Sequence, residues 1–89
     1  MTRYFLHLRD SVDIALDDEG YEYESEAALA AAMLANVRDM MKGDVEAGHL
    51  DLRLRLDAET ADGRVVQSLP FLEALRITYP GDKARRAAA

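Results

Sequence analysis

Residues 3–9 read Arg3-Tyr4-Phe5-Leu6-His7-Leu8-Arg9, a stretch that alternates between two kinds of surface. Successive side chains of a β-strand point to opposite sides of its sheet, so the stretch predicts a strand with Tyr4, Leu6 and Leu8 turned toward the core. The opposite face then carries Phe5, His7 and Arg9. One apolar and one mixed face indicate a sheet that is covered on one side only.

A second alternating stretch predicts the clearest strand of the chain: Leu50-Asp51-Leu52-Arg53-Leu54-Arg55-Leu56-Asp57. Its leucines should face the core, with Leu52 and Leu54 buried against the helix and Arg55 in solvent. The dipeptide Asp62-Gly63 is a hairpin signal, and residues 64–69 should return as the antiparallel neighbour, which Pro70 ends.

A long helix is predicted between these stretches. Ser25 is a good N-cap, and apolar residues spaced by three and four continue from Leu29 to Val45. Gly43 would end the helix at Lys42, whereas Gly48 would end it near Ala47. The persistence of the apolar spacing favours a helix from Glu26 to about Ala47.

The residues before the helix predict short extended pieces at 14–16 and 21–23, separated by the turn Asp17-Asp18-Glu19-Gly20. The predicted fold is therefore α+β: an antiparallel sheet of about four strands in the order β-β-α-β-β, one long helix on one face, and a short C-terminal helical turn. Residues 1–79 should form a single domain. Residues 80–89, which include Lys83, Arg85 and Arg86, are expected to be a disordered basic tail.

The composition excludes several classes of protein. There is no cysteine, so disulfides and thiolate metal sites are absent. The net charge of −6 argues against general nucleic-acid binding, which depends on clustered Lys and Arg. No apolar run approaches the roughly 18 residues of a membrane span, and no secretory signal is visible. We expect a cytoplasmic protein.

No pattern of residues predicts catalysis or a metal. His7 and His49 fall short of the three or more protein ligands of a zinc site, and the acidic run 17–19 is contiguous rather than spaced as in a calcium loop. The serines lack a neighbouring His–carboxylate pattern, and there is no glycine-rich phosphate loop. We therefore expect a non-enzymatic protein with no cofactor and no metal.

The candidate interaction surface is the outer face of the sheet, with Phe5, His7, Arg9, Arg53 and Arg55. Aromatic residues beside arginines suit a protein interface, and they also suit stacking of RNA bases. A third alternative is that the segment 71–75 folds back and covers this face. The acidic body favours the protein interface, so we predict an interaction or regulatory module that forms a homodimer through its sheet or binds a protein partner.

Four segments of the sequence form a recognisable set: the aromatic opening 3–10, Asp18-Glu19-Gly20, Gly63-Arg64-Val65-Val66 and Leu69-Pro70-Phe71. With these segments the chain resembles a group of short alphaproteobacterial proteins of unknown function. The likeness covers roughly residues 2–77, and this chain departs from it at Leu6, where Phe is frequent, and at Gln67, where an aliphatic residue is common. The resemblance implies no activity, cofactor or catalytic residue.

A looser resemblance, over residues 4–47, is to the HicB-like antitoxin fold. That likeness implies a partner role toward a small RNase toxin. HicB-like proteins often add a DNA-binding segment, and nothing after Ile77 matches one. Because topology alone does not license function, the antitoxin role is kept as an alternative.

Overall fold

The computed structural model describes residues 1–82 and has an α+β fold, as predicted. The sheet has five strands, one more than expected, because the pieces on either side of the turn 17–20 form separate short strands. Residues 83–89, most of the predicted tail, lie outside the described residues. The elements in chain order are β1 (Thr2–Arg9), β2 (Asp13–Ala15), β3 (Tyr21–Tyr23), α1 (Glu26–Glu46), β4 (Arg55–Glu59), β5 (Val65–Pro70) and a 3-10 turn at Phe71–Glu73.

The first strand organises the sheet. The strand order is β2-β1-β4-β5, all antiparallel, and β3 pairs with the start of β1. Leu6 lies opposite Ala58, and Leu8 lies opposite Leu56, so one face of the sheet is apolar. Helix α1 packs on that face through residues four apart, and the buried core consists of Leu29, Met33, Val37, Met41, Leu56, Ala58, Phe71 and Ala74.

The limits of α1 follow from local chemistry. The Ser25 hydroxyl accepts a hydrogen bond from the Ala28 amide at 3.0 Å, as predicted for an N-cap. The helix continues through Gly43 and ends at Glu46, one residue short of the predicted Ala47. Gly48 then adopts a φ of +88°, a conformation that residues with a side chain rarely take. The later of the two possible ends is therefore correct. No helix within residues 1–82 has the length and hydropathy needed to cross a membrane.

The strand predicted over residues 50–57 is wrong in its first half, because β4 begins only at Arg55. The Asp51 side chain accepts a hydrogen bond from the Arg53 amide at 3.0 Å and so holds a local turn. Leu52 and Leu54 still pack against the core, but they are half-buried rather than buried. The leucine alternation thus reflects contacts with the core, while the strand itself runs on to Glu59.

The hairpin that joins β4 to β5 is present as predicted. Gly63 has a φ of +87°, and its amide donates to the Thr60 carbonyl at 2.9 Å. The return strand ends at Pro70, and the Phe71 amide donates to the Leu54 carbonyl.

The segment after β5 lies on the helix side of the sheet. Phe71 is buried in the core, and the Ala74 carbonyl accepts a hydrogen bond from Arg38 of α1 at 2.9 Å. The alternative in which residues 71–75 cover the outer face is therefore wrong. The 3-10 turn directs Phe71 inward and leaves its neighbour Leu72 in solvent.

The difference in burial between Phe71 and Leu72 gives a test of the core packing. Phe71 is 1% exposed and Leu72 is 55% exposed. We expect Phe71→Ala to lower the free energy of unfolding by about 3–5 kcal/mol, because it removes a fully buried ring and leaves a cavity. Leu72→Ala should cost less than about 0.5 kcal/mol. Urea unfolding measures both, and equal costs would contradict this packing.

Candidate interaction site

The outer face of the sheet is built by the register between β1 and β4. Phe5 lies opposite Glu59, His7 opposite Asp57, and Arg9 opposite Arg55. Cross-strand partners share a face, so two carboxylates lie in the middle of this surface. The structure thus brings four of the five residues of the predicted interaction surface together.

Arg53 is the exception. It precedes β4, its side chain is exposed, and its guanidinium pairs with Asp51 at 2.9 Å. It therefore does not join the others on the sheet.

Arg9 is bound by carboxylates from two other strands. Its Nη1 donates to Asp57 Oδ2 at 3.0 Å and to a carboxylate oxygen of Glu59, while its Nε donates to Asp13 Oδ1 at 2.7 Å. The hydrogen bonds to Asp13, Glu59 and Asp57 raise the pKa of Arg9 above its ordinary value. This guanidinium is a fixed structural cation, and its donors are directed at the protein's own acids.

Asp57 is buried, although the alternating pattern placed it on the outer, polar side. Its carboxylate accepts hydrogen bonds from Ser68 Oγ at 2.6 Å and from Arg55 Nε at 3.1 Å, besides the one from Arg9. Burial alone would raise the pKa of Asp57, but these hydrogen bonds outweigh it and hold the pKa below its usual range. Arg55 also donates to the Asp10 carbonyl at 2.8 Å, so it is not the freely solvated residue that the sequence predicted.

Neither Asp57 nor Glu59 stands out in the sequence as a functional residue. Two acids spaced by two on a strand are a weak signal, because alternating charges are usual on a solvated face. Asp57 and Glu59 follow Arg9 by 48 and 50 residues in the chain. Their pairing with Arg9 depends on the register between β1 and β4, which the local sequence does not reveal.

The acidic turn at residues 17–20 is attached to β1 by one carboxylate. Asp17 accepts hydrogen bonds from three amides: that of Leu6 at 3.2 Å, that of Glu19 at 3.1 Å and that of Gly20 at 3.0 Å. The Asp17 side chain therefore lies in the gap between the end of β2 and the start of β3. There it accepts the hydrogen bond of the Leu6 amide of β1. Burial opposes ionisation, yet these three hydrogen bonds lower the pKa of Asp17.

His7 and Phe5 are held by the same turn. His7 Nδ1 accepts a hydrogen bond from the Asp17 amide at 3.1 Å, and its Nε2 lies 3.7 Å from Glu59 Oε1. Gly20 has a φ of +71°, and a Cβ there would lie 2.8 Å from Phe5 Cε2. The turn thus packs directly on the Phe5 ring, which is half-buried rather than free. Within residues 1–82, no group of three or more His, Cys, Asp or Glu side chains is placed to hold a metal ion.

Four exposed apolar residues lie together at one edge of the sheet. Val12, Ile14, Leu16 and Tyr21, here called the edge patch, are 53–69% exposed and lie on or beside β2 and at the start of β3. An apolar groove of about 510 Å³ runs between this edge and α1. Its walls include Leu6, Leu8, Leu16, Tyr21, Tyr23 and Met40. The sequence predicts extended structure at residues 14–16 and 21–23, but it does not show that these side chains form one surface.

Comparison with known proteins identifies the family of this chain. A family model described as a domain of unknown function (DUF6894) matches residues 3–72, which confirms the resemblance to a family of unknown function. No curated protein and no solved structure matches the chain. The looser likeness to HicB-like antitoxins has no support among these findings.

The ion cluster around Arg9 gives a second test of stability. We expect Arg9→Met to lower the free energy of unfolding by roughly 2–4 kcal/mol, because Asp57 and Glu59 then keep their charges without the shared cation. Arg53→Met is the matched control, since its ion pair with Asp51 is exposed and screened by solvent, and its loss should therefore cost clearly less. Chemical denaturation of both variants at pH 7 makes the comparison. If both variants lost a similar small amount of unfolding free energy, the ion cluster around Arg9 would make no net contribution to stability.

The lowered pKa of Asp17 in the turn predicts that the stability of the protein depends on pH. A carboxyl whose pKa is lowered by folding stabilises the protein fully above its ordinary pKa of 3.8, and this contribution disappears as the pH falls through the folded-state pKa. Asp17→Asn should therefore be less stable than the wild type at pH 7, and the difference should shrink as the pH falls below about 4.

Asp18→Asn is the control for this measurement, because Asp18 is exposed and makes no side-chain hydrogen bond among residues 1–82. Urea midpoints from pH 7 to pH 3 supply the data. A difference for Asp17→Asn that stays constant over this range would refute the assignment.

Proposed function

This chain belongs to the DUF6894 family of domains of unknown function, and we propose that it is a non-catalytic interaction module that self-associates through the open edge of its sheet. The observation that carries the proposal is the edge patch beside β2. Strand β2 pairs with β1 on one side and has no further strand partner within residues 1–82. Exposed apolar side chains therefore adjoin the outward backbone groups of a three-residue edge strand.

Such an edge is suited to pairing with an identical copy. Natural proteins usually protect exposed edges with Lys or Pro, with an inward charge, with a β-bulge or by keeping the edge strand very short. Strand β2 has no Lys and no Pro, so its protection rests on its length of three residues and on the register shift in its pairing with β1. Its one charged residue, Asp13, is already paired with Arg9. Antiparallel pairing of β2 with its mate across a twofold axis would continue the sheet and satisfy the backbone of both copies.

The chain exposes enough surface to form such a contact. A stable interface buries roughly 800 Å² from each partner, about an eighth of the 6608 Å² that this chain exposes. The edge patch has only four large side chains, so the contact must also use walls of the adjacent groove. Tyr23 and Met40 are the residues there that a second copy would cover.

The outer face supports the non-catalytic part of the proposal. The Ser68 hydroxyl donates to Asp57, and the arginine donors on this face are directed at carboxylates or at a backbone carbonyl. A nucleophile needs an adjacent base that is free to take its proton, and a base-stacking surface needs exposed aromatics with available cations. Phe5 lies under the turn, and no observation favours the RNA-binding or antitoxin-like alternatives.

Self-association is tested by a pair of matched substitutions on opposite edges of the sheet. Ile14 on β2 is 53% exposed, and Val65 on β5 is 49% exposed. Light scattering at tens of micromolar should give a mass near twice the 9.9 kDa chain for the wild type and for Val65→Glu. Ile14→Glu should be monomeric, because it places a charge in a desolvated contact.

Circular dichroism of each variant verifies folding. A monomeric wild type would overturn the proposal. A dimer lost in Val65→Glu and kept in Ile14→Glu would assign the contact to β5 instead.

A further inference from the structure

A second groove lies on the other side of the helix, away from the edge patch. It has a volume of about 340 Å³ and runs between the C-terminal half of α1 and Leu75. We name it the helix groove, and it is lined by Arg38, Met41, Lys42, Val45, Glu46 and Leu75. Buried Met41 forms the floor, whereas Val45 and Leu75 are exposed walls. Apolar side chains are thus open to solvent in a concave site.

The rim of the helix groove carries cations without acidic partners. Arg3, Arg9, Arg53 and Arg55 each pair with an acid, but Arg38 and Lys42 form no ion pair within residues 1–82. The Arg38 Nε donates to the Ala74 carbonyl at 2.9 Å, so its guanidinium is fixed at the mouth of the groove. A guanidinium held in this way can offer its remaining N–H donors without a further loss of side-chain freedom. With Arg38 and Lys42 against one acid, Glu46, the lining of the groove is net positive on a chain of net charge −6.

We propose that the helix groove docks an acidic, amphipathic peptide segment of a partner protein. An apolar side chain of that segment fills the space between Val45 and Leu75, and a carboxylate next to it meets Arg38 and Lys42. Glu46 lines the opposite end and repels an acid there. The bound segment should therefore carry its acidic residues on one side of the apolar anchor.

Other occupants fit less well. A nucleic acid needs clustered cations over a long surface, whereas here two cations border an apolar floor. The basic tail with Lys83, Arg85 and Arg86 has the same sign of charge as the rim. A second copy is accommodated by the edge patch, which shares no residue with the helix groove.

The probe is a random 12-residue peptide library displayed on phage and selected on the full chain. Enriched peptides should combine a Leu, Phe or Met with Asp or Glu residues on one side of it. No enrichment, or enrichment without acidic residues, would overturn the proposal.

One enriched peptide, synthesised with a fluorescent label, then measures affinity by anisotropy. Lys42→Glu should weaken binding by at least about tenfold, because it reverses a charge at the rim. Arg64→Glu is the control, since Arg64 is an exposed cation without an ion pair in the described residues and lies outside the groove. It should change the affinity by less than about twofold. Equal effects of the two substitutions would overturn the assignment.

The edge patch provides an independent check. Ile14→Glu should bind the peptide as tightly as the wild type, because the two surfaces are separate. A peptide that binds wild type but not Ile14→Glu would assign the peptide to the sheet edge and overturn this inference. A Lys42→Glu variant that loses the dimer would show that the groove holds a second copy.

Discussion

The guanidinium of Arg9 is the contact on which the sheet depends, because it joins three strands. It belongs to β1, it binds Asp13 of β2, and it lies between Asp57 and Glu59 of β4. Removing a carboxylate from water costs several kcal/mol, and one fixed cation offsets that cost only if the strands keep this register. A slip by one residue would turn Asp57 toward the apolar core and away from Arg9, so the ion cluster favours this register over its neighbours.

The same register determines what the helix can cover. With Asp57 on the outer face, Leu56 and Ala58 must face inward, where they meet Leu6 and Leu8 of β1. A single helix packs over the middle of this apolar face, and a groove remains between α1 and the β2 edge. The short strand β2 is therefore paired on one side and poorly covered, and Ala15 and Leu16 line the groove beside it.

The distribution of polar and apolar groups fits the two proposed contacts. The charges on the outer face are used within the chain, so that face has little to offer a partner. Apolar side chains are exposed instead at the β2 edge and in the helix groove, and the two sites differ in chemistry. The edge adds unpaired backbone groups, which complement an identical strand. The groove adds the cations Arg38 and Lys42, which complement a partner of opposite charge.

The features that depend on neighbouring residues could be predicted from the sequence alone. The Ser25 cap, the apolar spacing and Gly48 define α1, the period of two separates the faces of β1, and Asp62-Gly63 marks the hairpin. The alternating run 50–57 misled the strand prediction, because the Asp51 side chain competes for a backbone donor, and periodicity does not report such a bond. Which acids bind Arg9, in contrast, depends on the tertiary structure. These acids are far away in the chain, and a buried carboxylate and a solvated one look the same until the register brings a cation to one of them.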